Sequence, residues 1–433
     1  MKSADLIVTN CNQLITCKGP IPKRKEALQD IGCIENATIA SLGGKIIFIG
    51  TGKEHHNEVS LNKNGVRIDG KGKIGLPGFV DSHTHLPFAG SREDEFLLRL
   101  KGFTYLQLAA KGLGIQTTVK ATRKASSREL LSLCLSRLDT MLLHGTTTAE
   151  AKSGYGLNVK DELKQLKVIK EADRMHPVDL VPTFLGAHEI PMEYKSNKSE
   201  YIELIIQEML PEVKRHNLAE FFDIFCEEGV YSVEDTRKLV KAALQSGLKI
   251  KIHTDEFSAL GGAELAAEVN ATSAEHLIAI TQDGMTALSE SSTAAILLPG
   301  VSFYLMLDKT APARQLIDLG TVVALATDFN PGSSMTESMF FILQLAVFTL
   351  KMGVEEAINA TTANAAYAIS RQETVGSLEL GKKMDLLLCD VPNYAHLGYH
   401  IGTNPITHVI KNGKIVVKDG QRIMNSPSSR HCS

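Results

Sequence analysis

The segment Asp81-Ser82-His83-Thr84-His85 closes a short apolar run and sets two histidines one residue apart. On a β-strand, residues i and i+2 face the same side, so His83 and His85 can grip one metal ion together. Taken alone, the pair reads equally as two polar residues at a strand end. Further apolar runs end in groups of the same chemical kind. One closes on His253, Asp255 and Glu256, another on His276, a third on His188, and a fourth on Asp328 and Asn330. Imidazoles and carboxylates can ligate metal, hold water and move protons near neutral pH.

What matters is whether these ends meet. Eight apolar runs recur between Gly78 and Asn330: 78–85, 146–153, 178–189, 221–228, 249–256, 271–276, 294–299 and 322–330. Helical patterns separate them, among them 126–143, 161–175, 199–216, 232–245, 262–269 and 281–289. Near-continuous apolar strands joined by helices indicate a parallel sheet covered on both faces. Eight such units over about 250 residues predict an α/β fold of the (β/α)8 TIM-barrel type. An open doubly wound sheet is the rival, but the chain has neither a GxGxxG turn nor a Walker loop. In a barrel all eight strand ends face one mouth, where active sites of this architecture lie. Five of the fourteen histidines fall there. Buried imidazoles and carboxylates are costly unless paired or ligating, so their convergence points to a metal site.

The two ends of the chain read differently. Short β patterns occupy the first 70 or so residues. Near the other end Lys414–Lys418 follows His408–Lys411 across Asn412-Gly413, a hairpin signal. Both termini are expected to build one small β-sandwich domain, residues 1–72 with 376–433, around a barrel of residues 73–375.

Together these motifs resemble a known pattern. GFVDSHTH after an N-terminal β segment, then a strand-five His, a strand-six His and a strand-eight Asp, resembles the amidohydrolase superfamily. The segments SHTHLPFAGSREDEF, KGFTY, AKSGYGL, PTFLGAHEIP, HTDEFS and ATDFNPGSS are similar to its imidazolonepropionase family over essentially the whole chain. Lys111-Gly112-Leu113-Gly114 departs from the glycine run usual there, which touches a loop and not a ligand. The resemblance implies that His83, His85, His253 and Asp328 hold one Zn2+ or Fe3+ ion per subunit, a donor set that suits either metal. Strand four ends in Cys226-Glu227-Glu228 without the Lys of binuclear members; Cys226 is read as a strand residue, with a thiolate ligand as the alternative.

The implied reaction is hydrolysis of the cyclic amide of 4-imidazolone-5-propanoate to N-formimidoyl-L-glutamate, in histidine degradation, by metal-activated water. His276, Asp328 and Glu256 are the implied catalytic groups. The division of proton transfer among them stays open, and Glu256 reads alternatively as a solvated loop carboxylate. Arg92 would fork onto the substrate carboxylate, with salt bridging to Glu93-Asp94-Glu95 as its alternative. Tyr155 and His188 would contact substrate. Asn330 would bind ring or amide groups, and Gly332 and Ser333 would offer backbone N–H groups to carboxylates. Tyr105 is expected in a lid, or else as a packed loop aromatic. A homodimer is implied by analogy.

Composition narrows the alternatives. Net charge is −3, with 43% hydrophobic and 22% charged residues over 433 positions. Neither disorder nor a nucleic-acid surface is expected from such a balance. No apolar run reaches the roughly 20 residues of a membrane span, and MKSADLIVTN has no signal-peptide core; a cytoplasmic location is expected. The seven cysteines, with no CxxC pair, are read as plain thiols. A metal-dependent deaminase of a purine or pyrimidine ring is the same-fold rival, and a non-catalytic barrel binding protein the rival from another class.

Overall fold

Strands too apolar to show water on either face have to be covered on both, and the barrel satisfies them. In the computed structural model, which describes residues 1–51, 54–103, 107 and 113–423, the chain first lays down β1 (Lys2–Ile15), β2 (Cys33–Leu42), β3 (Lys45–Thr51), β4 (Val59–Asp69) and β5 (Ile74–Pro77). Eight parallel strands then pair in chain order: β6 (Phe79–Asp81), β7 (Thr146–Lys152), β8 (Asp179–Ala187), β9 (Phe221–Cys226), β10 (Lys249–Thr254), β11 (Ser273–His276), β12 (Ala294–Leu297) and β13 (Val322–Leu325). Every one of the eight expected runs contributes a strand. β12 and β13, AAIL and VVAL, are buried at every position.

The ring closes just beyond β6 and β13. Thr84 bridges Phe329, the His85 N–H donates to the Phe329 carbonyl at 3.1 Å, and the Asp328 N–H donates to the His83 carbonyl at 3.0 Å. Beneath this seam, the Asp81 carboxylate accepts from the Thr327 hydroxyl at 2.6 Å and its N–H at 3.1 Å. Closure therefore sets the backbones of His83, His85 and Asp328 against one another.

The helices between strands start where their caps say. Ser126 and Glu129 form a reciprocal capping box before helix 127–143, and Ser232 and Asp235 form another before helix 233–245. Each box satisfies two N–H groups that the helix itself leaves unpaired. The helix expected over 199–216 spans Lys198–Arg215 with a wide π turn at Ile205–Met209. Pro211, which lacks an N–H, follows that turn.

β14 (Leu386–Cys389), β15 (Ile406–Lys411), β16 (Lys414–Lys418) and β17 (Gln421–Arg422) complete a second sheet of nine strands, in the order β17-β16-β15-β14-β5-β1-β2-β3, with β4 on β1. Both termini contribute, and the strands join into one hydrogen-bonded, branched sheet. β5 belongs to it, pairing with β1 and β14, so the chain passes into the barrel at Gly78 rather than after residue 72. Asn412 and Gly413 both have positive φ, 49° and 70°, the twist a two-residue hairpin requires. Lys411 ties the sheet to the barrel, reaching Asp179 on β8 at 2.7 Å and Asp385 at 2.6 Å. Helix Met339–Thr349 turns most of its apolar side chains inward, and buried Gln344 donates to the carbonyls of Leu397 and His400. Among the described residues no helix is long and apolar enough to cross a membrane.

Candidate active site

A cavity of about 1180 Å3 opens at the mouth of the barrel. His85, His253, His276, Asp328, Glu256, Arg92, Tyr155, His188, Asn330, Gly332 and Ser333 all line it, and His83 lies fully buried beside them. Tyr105, Lys111 and Gly112 lie outside the described residues.

The donor cluster forms the cavity floor. His83 Nε2 and His85 Nε2 stand 3.1 and 3.2 Å from the same oxygen, Asp328 Oδ1, and His253 Nε2 stands 3.5 Å from His85 Nε2. His276 joins a second overlapping set with His83 and His253. His83 Nε2 and Asp328 Oδ1 are buried without a well-aligned hydrogen bond. Buried polar atoms are rarely left so. A shared cation would satisfy them, and imidazole nitrogens with a carboxylate are the donors a transition-metal ion takes. Burial lowers the pKa of His85, takes that of His253 well below the ordinary value and moves that of His276 to about 4, so these rings keep free nitrogen lone pairs. Burial would raise Asp328, but His83 and His85 outweigh it and hold the carboxylate ionised. Asp328 and His276 both sit in the left-handed region, with φ of 50° and 76°. That is a strained choice for non-glycine residues, and such strain clusters at functional sites.

Beneath the floor lies a charged lattice that sequence reading missed. Glu150 and Lys152 on β7, Asp223 on β9, Lys251 on β10 and Glu275 on β11 are all completely buried. Lys152 Nζ reaches Asp223, Glu150 and Glu275 at 2.7, 2.8 and 3.2 Å. Lys251 Nζ bridges Glu150 and Glu275 at 2.9 and 2.8 Å. The carboxylates in turn face the far side of the clustered rings: Glu275 is 2.7 Å from His83 Nδ1, and Asp223 is 2.9 Å from His253 Nδ1. Such partners orient an imidazole and raise its basicity toward metal. The signal was present, since Lys251 and His253 share a face by strand periodicity.

The walls carry the remaining groups. His188 stacks on His85, with ring centroids 4.9 Å apart and planes 17° apart, and its Nδ1 lies 3.0 Å from the Gly154 carbonyl. Tyr155 packs against both rings. Its loop is held by the Glu162 carboxylate, which accepts the N–H groups of Gly154, Gly156 and Leu157. A Cβ at Gly156 would meet the Glu162 backbone at 2.3 Å, so the approach needs glycine. Burial, reinforced by Asp328 and Glu227, pushes the Glu256 pKa well above its usual value. The carboxyl stands 3.7 Å from His276 Nε2 and is buried, not solvated.

Arg92 pairs with its own acidic run and still lines the cavity. Nε and Nη2 grip Glu95 at 2.8 and 2.7 Å, while Nη1 faces Gly332, where a Cβ would come within 2.1 Å. The Gly332 and Ser333 N–H groups donate to Asn330 Oδ1 at 2.8 and 2.9 Å. Asn330 Nδ2 in turn donates to Asp328 Oδ2 at 3.0 Å. An Asn side chain meeting N–H groups two and three residues on is the turn chemistry this residue favours. Cys226 is a buried thiol whose pKa burial raises to about 11, and among the described residues every cysteine is free.

Residues 74–416 match the amidohydrolase family. The chain is 48% identical over 420 residues to the imidazolonepropionase of Alkaliphilus metalliredigens, covering 97% of this chain and 99% of the relative. The imidazolonepropionase of Geobacillus kaustophilus is also 48% identical, over 96% of this chain and 99% of its own. Among solved structures, a zinc-bound adenosine deaminase from Xanthomonas campestris superposes with a TM-score of 0.73 at 17% identity, over 98% of this chain and 95% of that one. The 5-methylcytosine deaminase of Klebsiella pneumoniae gives 0.72 at 16% identity, over 97% and 100%. At that identity the likeness is one of fold.

Proposed function

The chain belongs to the amidohydrolase family and, within it, to the imidazolonepropionases, and from that premise we propose how its cavity performs the reaction. It is a hydrolase of a C–N bond in a cyclic amide, acting in histidine degradation on 4-imidazolone-5-propanoate. The observation that carries this reading is a single cavity with an imidazole–carboxylate cluster on its floor and a guanidinium in its wall.

His83, His85, His253 and Asp328 are assigned to one Zn2+ or Fe3+ ion. Such an ion supplies Lewis acidity, polarising a carbonyl and lowering the pKa of water toward ~7. Water adds its oxygen to the ring carbonyl carbon, the C–N bond breaks, and the nitrogen leaves with a proton, giving N-formimidoyl-L-glutamate. To His276, whose pKa burial lowers to about 4, is assigned the acceptance of the water's proton. Glu256, whose pKa burial pushes well above its usual value, is assigned the proton given to the departing nitrogen. Two neighbouring groups whose environments drive their pKa values apart divide acid and base work in this way. Asp328, held ionised, assists His276. Arg92 takes the propionate, while Tyr155 and His188 flank the ring.

The test is a substrate comparison. Purified, metal-loaded chain is given freshly generated imidazolone propionate beside cytosine and guanine, with ring absorbance followed. Loss confined to the imidazolone supports the reading; faster turnover of a nucleobase replaces it with the deaminase reading.

A further inference from the structure

Glu227 follows β9 at the rim of the cavity and is 4% exposed. It begins a tight turn: its own N–H donates to the Tyr231 carbonyl at 3.2 Å, and the Val230 N–H donates to the Glu227 carbonyl at 3.0 Å. From that fixed base its carboxylate reaches across to the loop after β10. Oε2 accepts the N–H groups of Glu256 and Phe257, both at 3.1 Å. Oε1 accepts the Ser258 N–H at 3.0 Å, the Ser258 hydroxyl in a shorter contact, and the Glu228 N–H at 3.1 Å. An ionised carboxylate is acceptor-only and offers about four lone-pair sites. Here these donors come from its own turn and from residues 256–258.

We infer that Glu227 is a positioning residue: its carboxylate clamps three successive N–H groups of the loop and so aims the Glu256 carboxyl at His276. This rests on the proton-donor reading of Glu256. The chain needs such a clamp because Glu256 leaves the end of β10, beyond the ladder, where strand pairing no longer sets its direction. Bonds from N–H groups to a charged oxygen are the strong kind. Two barrel strands that are neighbours thereby share one anchor, and the angle of Glu256 to His276 is set by β9 rather than by its own loop. Three N–H groups pointing together also make an anion-binding concavity. With Glu227 seated in it, a substrate carboxylate cannot bind there, and Arg92 remains its partner.

Glu227→Gln keeps the volume but turns one acceptor oxygen into a donor, setting N–H against N–H. The experiment measures kcat, KM, metal content and Tm for E227Q, E256Q and the double variant. In E227Q we expect kcat to fall about 10- to 200-fold, the worth of one charged hydrogen bond, with KM within about threefold and full metal content. The double variant should turn over within about threefold of E256Q, because removing the aim costs nothing once the group aimed is gone. Multiplying penalties, or wild-type kcat in E227Q beside an impaired E256Q, overturns the clamp alone. Wild-type kcat in E256Q overturns the proton-donor reading, and the clamp with it. If E227Q does not fold, E227D, which keeps the charge but withdraws it by one methylene, carries the same cycle, and the same outcomes support or overturn the clamp.

Discussion

Lys152 Nζ lies 2.7 Å from Asp223 Oδ2, and both side chains are sealed from solvent. The pair sits directly behind the rings assigned to metal, since the same Asp223 oxygen is 2.9 Å from His253 Nδ1. Two ammonium groups and three carboxylates thus share a space sealed from solvent, and their arrangement dictates which nitrogen each imidazole turns to the cavity. A buried charge without its partner is strongly destabilising, so the lattice holds as a unit.

Asp223→Asn keeps the shape and removes the charge behind His253. Metal affinity should fall about 10- to 100-fold, the usual effect of losing an outer partner of a ligand. Chelator competition on the purified variant measures it. Unchanged affinity would mean that Asp223 serves the lattice and not the ligand.

His276→Ala separates proton transfer from metal binding. Retained metal with a loss of about 10²–10⁴ in kcat is expected of a general base. Metal loss in elemental analysis would instead move His276 into the ligand set, where its distance to His83 and His253 also admits it.

Arg92→Met should cost about 10- to 200-fold in kcat/KM on the propionate substrate, the worth of a charge-assisted bond, and little on an imidazolone without the arm. Lys should restore only part, lacking the planar fork. Equal losses on both compounds would assign Arg92 to holding Glu95.

The seam between sheet and barrel predicts a pH dependence. Burial would raise Asp179, but Lys411 and Lys383 outweigh it and hold its pKa below the ordinary 3.8. A depressed carboxylate stabilises fully above its unfolded pKa and loses that contribution as pH falls through the folded value. Asp179→Asn should therefore lower Tm at pH 7, by an amount corresponding to about 2 kcal/mol. The gap to wild type should narrow as pH drops below 3.8. Melting curves at pH 7 and pH 3 decide it; a constant gap would remove ionisation from the account.

Local features were legible in the sequence because their causes are local. The His83-x-His85 spacing and the Asn412-Gly413 turn each follow from a few adjacent residues. Convergence of the strand ends was legible too, since barrel closure dictates it. Glu275 behind His83 and Lys152 against Asp223 were not, because those pairings join different strands and depend on which interior charges meet. The Asn330 turn was not legible for another reason: its side chain meets its own turn's N–H groups, and that choice is made by backbone shape. β5, four residues long, shows its allegiance only through its pairing with the distant β1 and β14.

That last pairing has a consequence for how the molecule is made. Pro77 pairs with Leu386, so the strand leading into the barrel waits for a partner that leaves the ribosome only after all eight barrel units. Until then the nascent N-terminal strands expose one edge of β5, an open template for other chains. Contacts so distant in sequence slow folding and lengthen that exposure. Synthesis thus supplies the latch late: β14, made after the whole barrel, covers the strand that has waited longest.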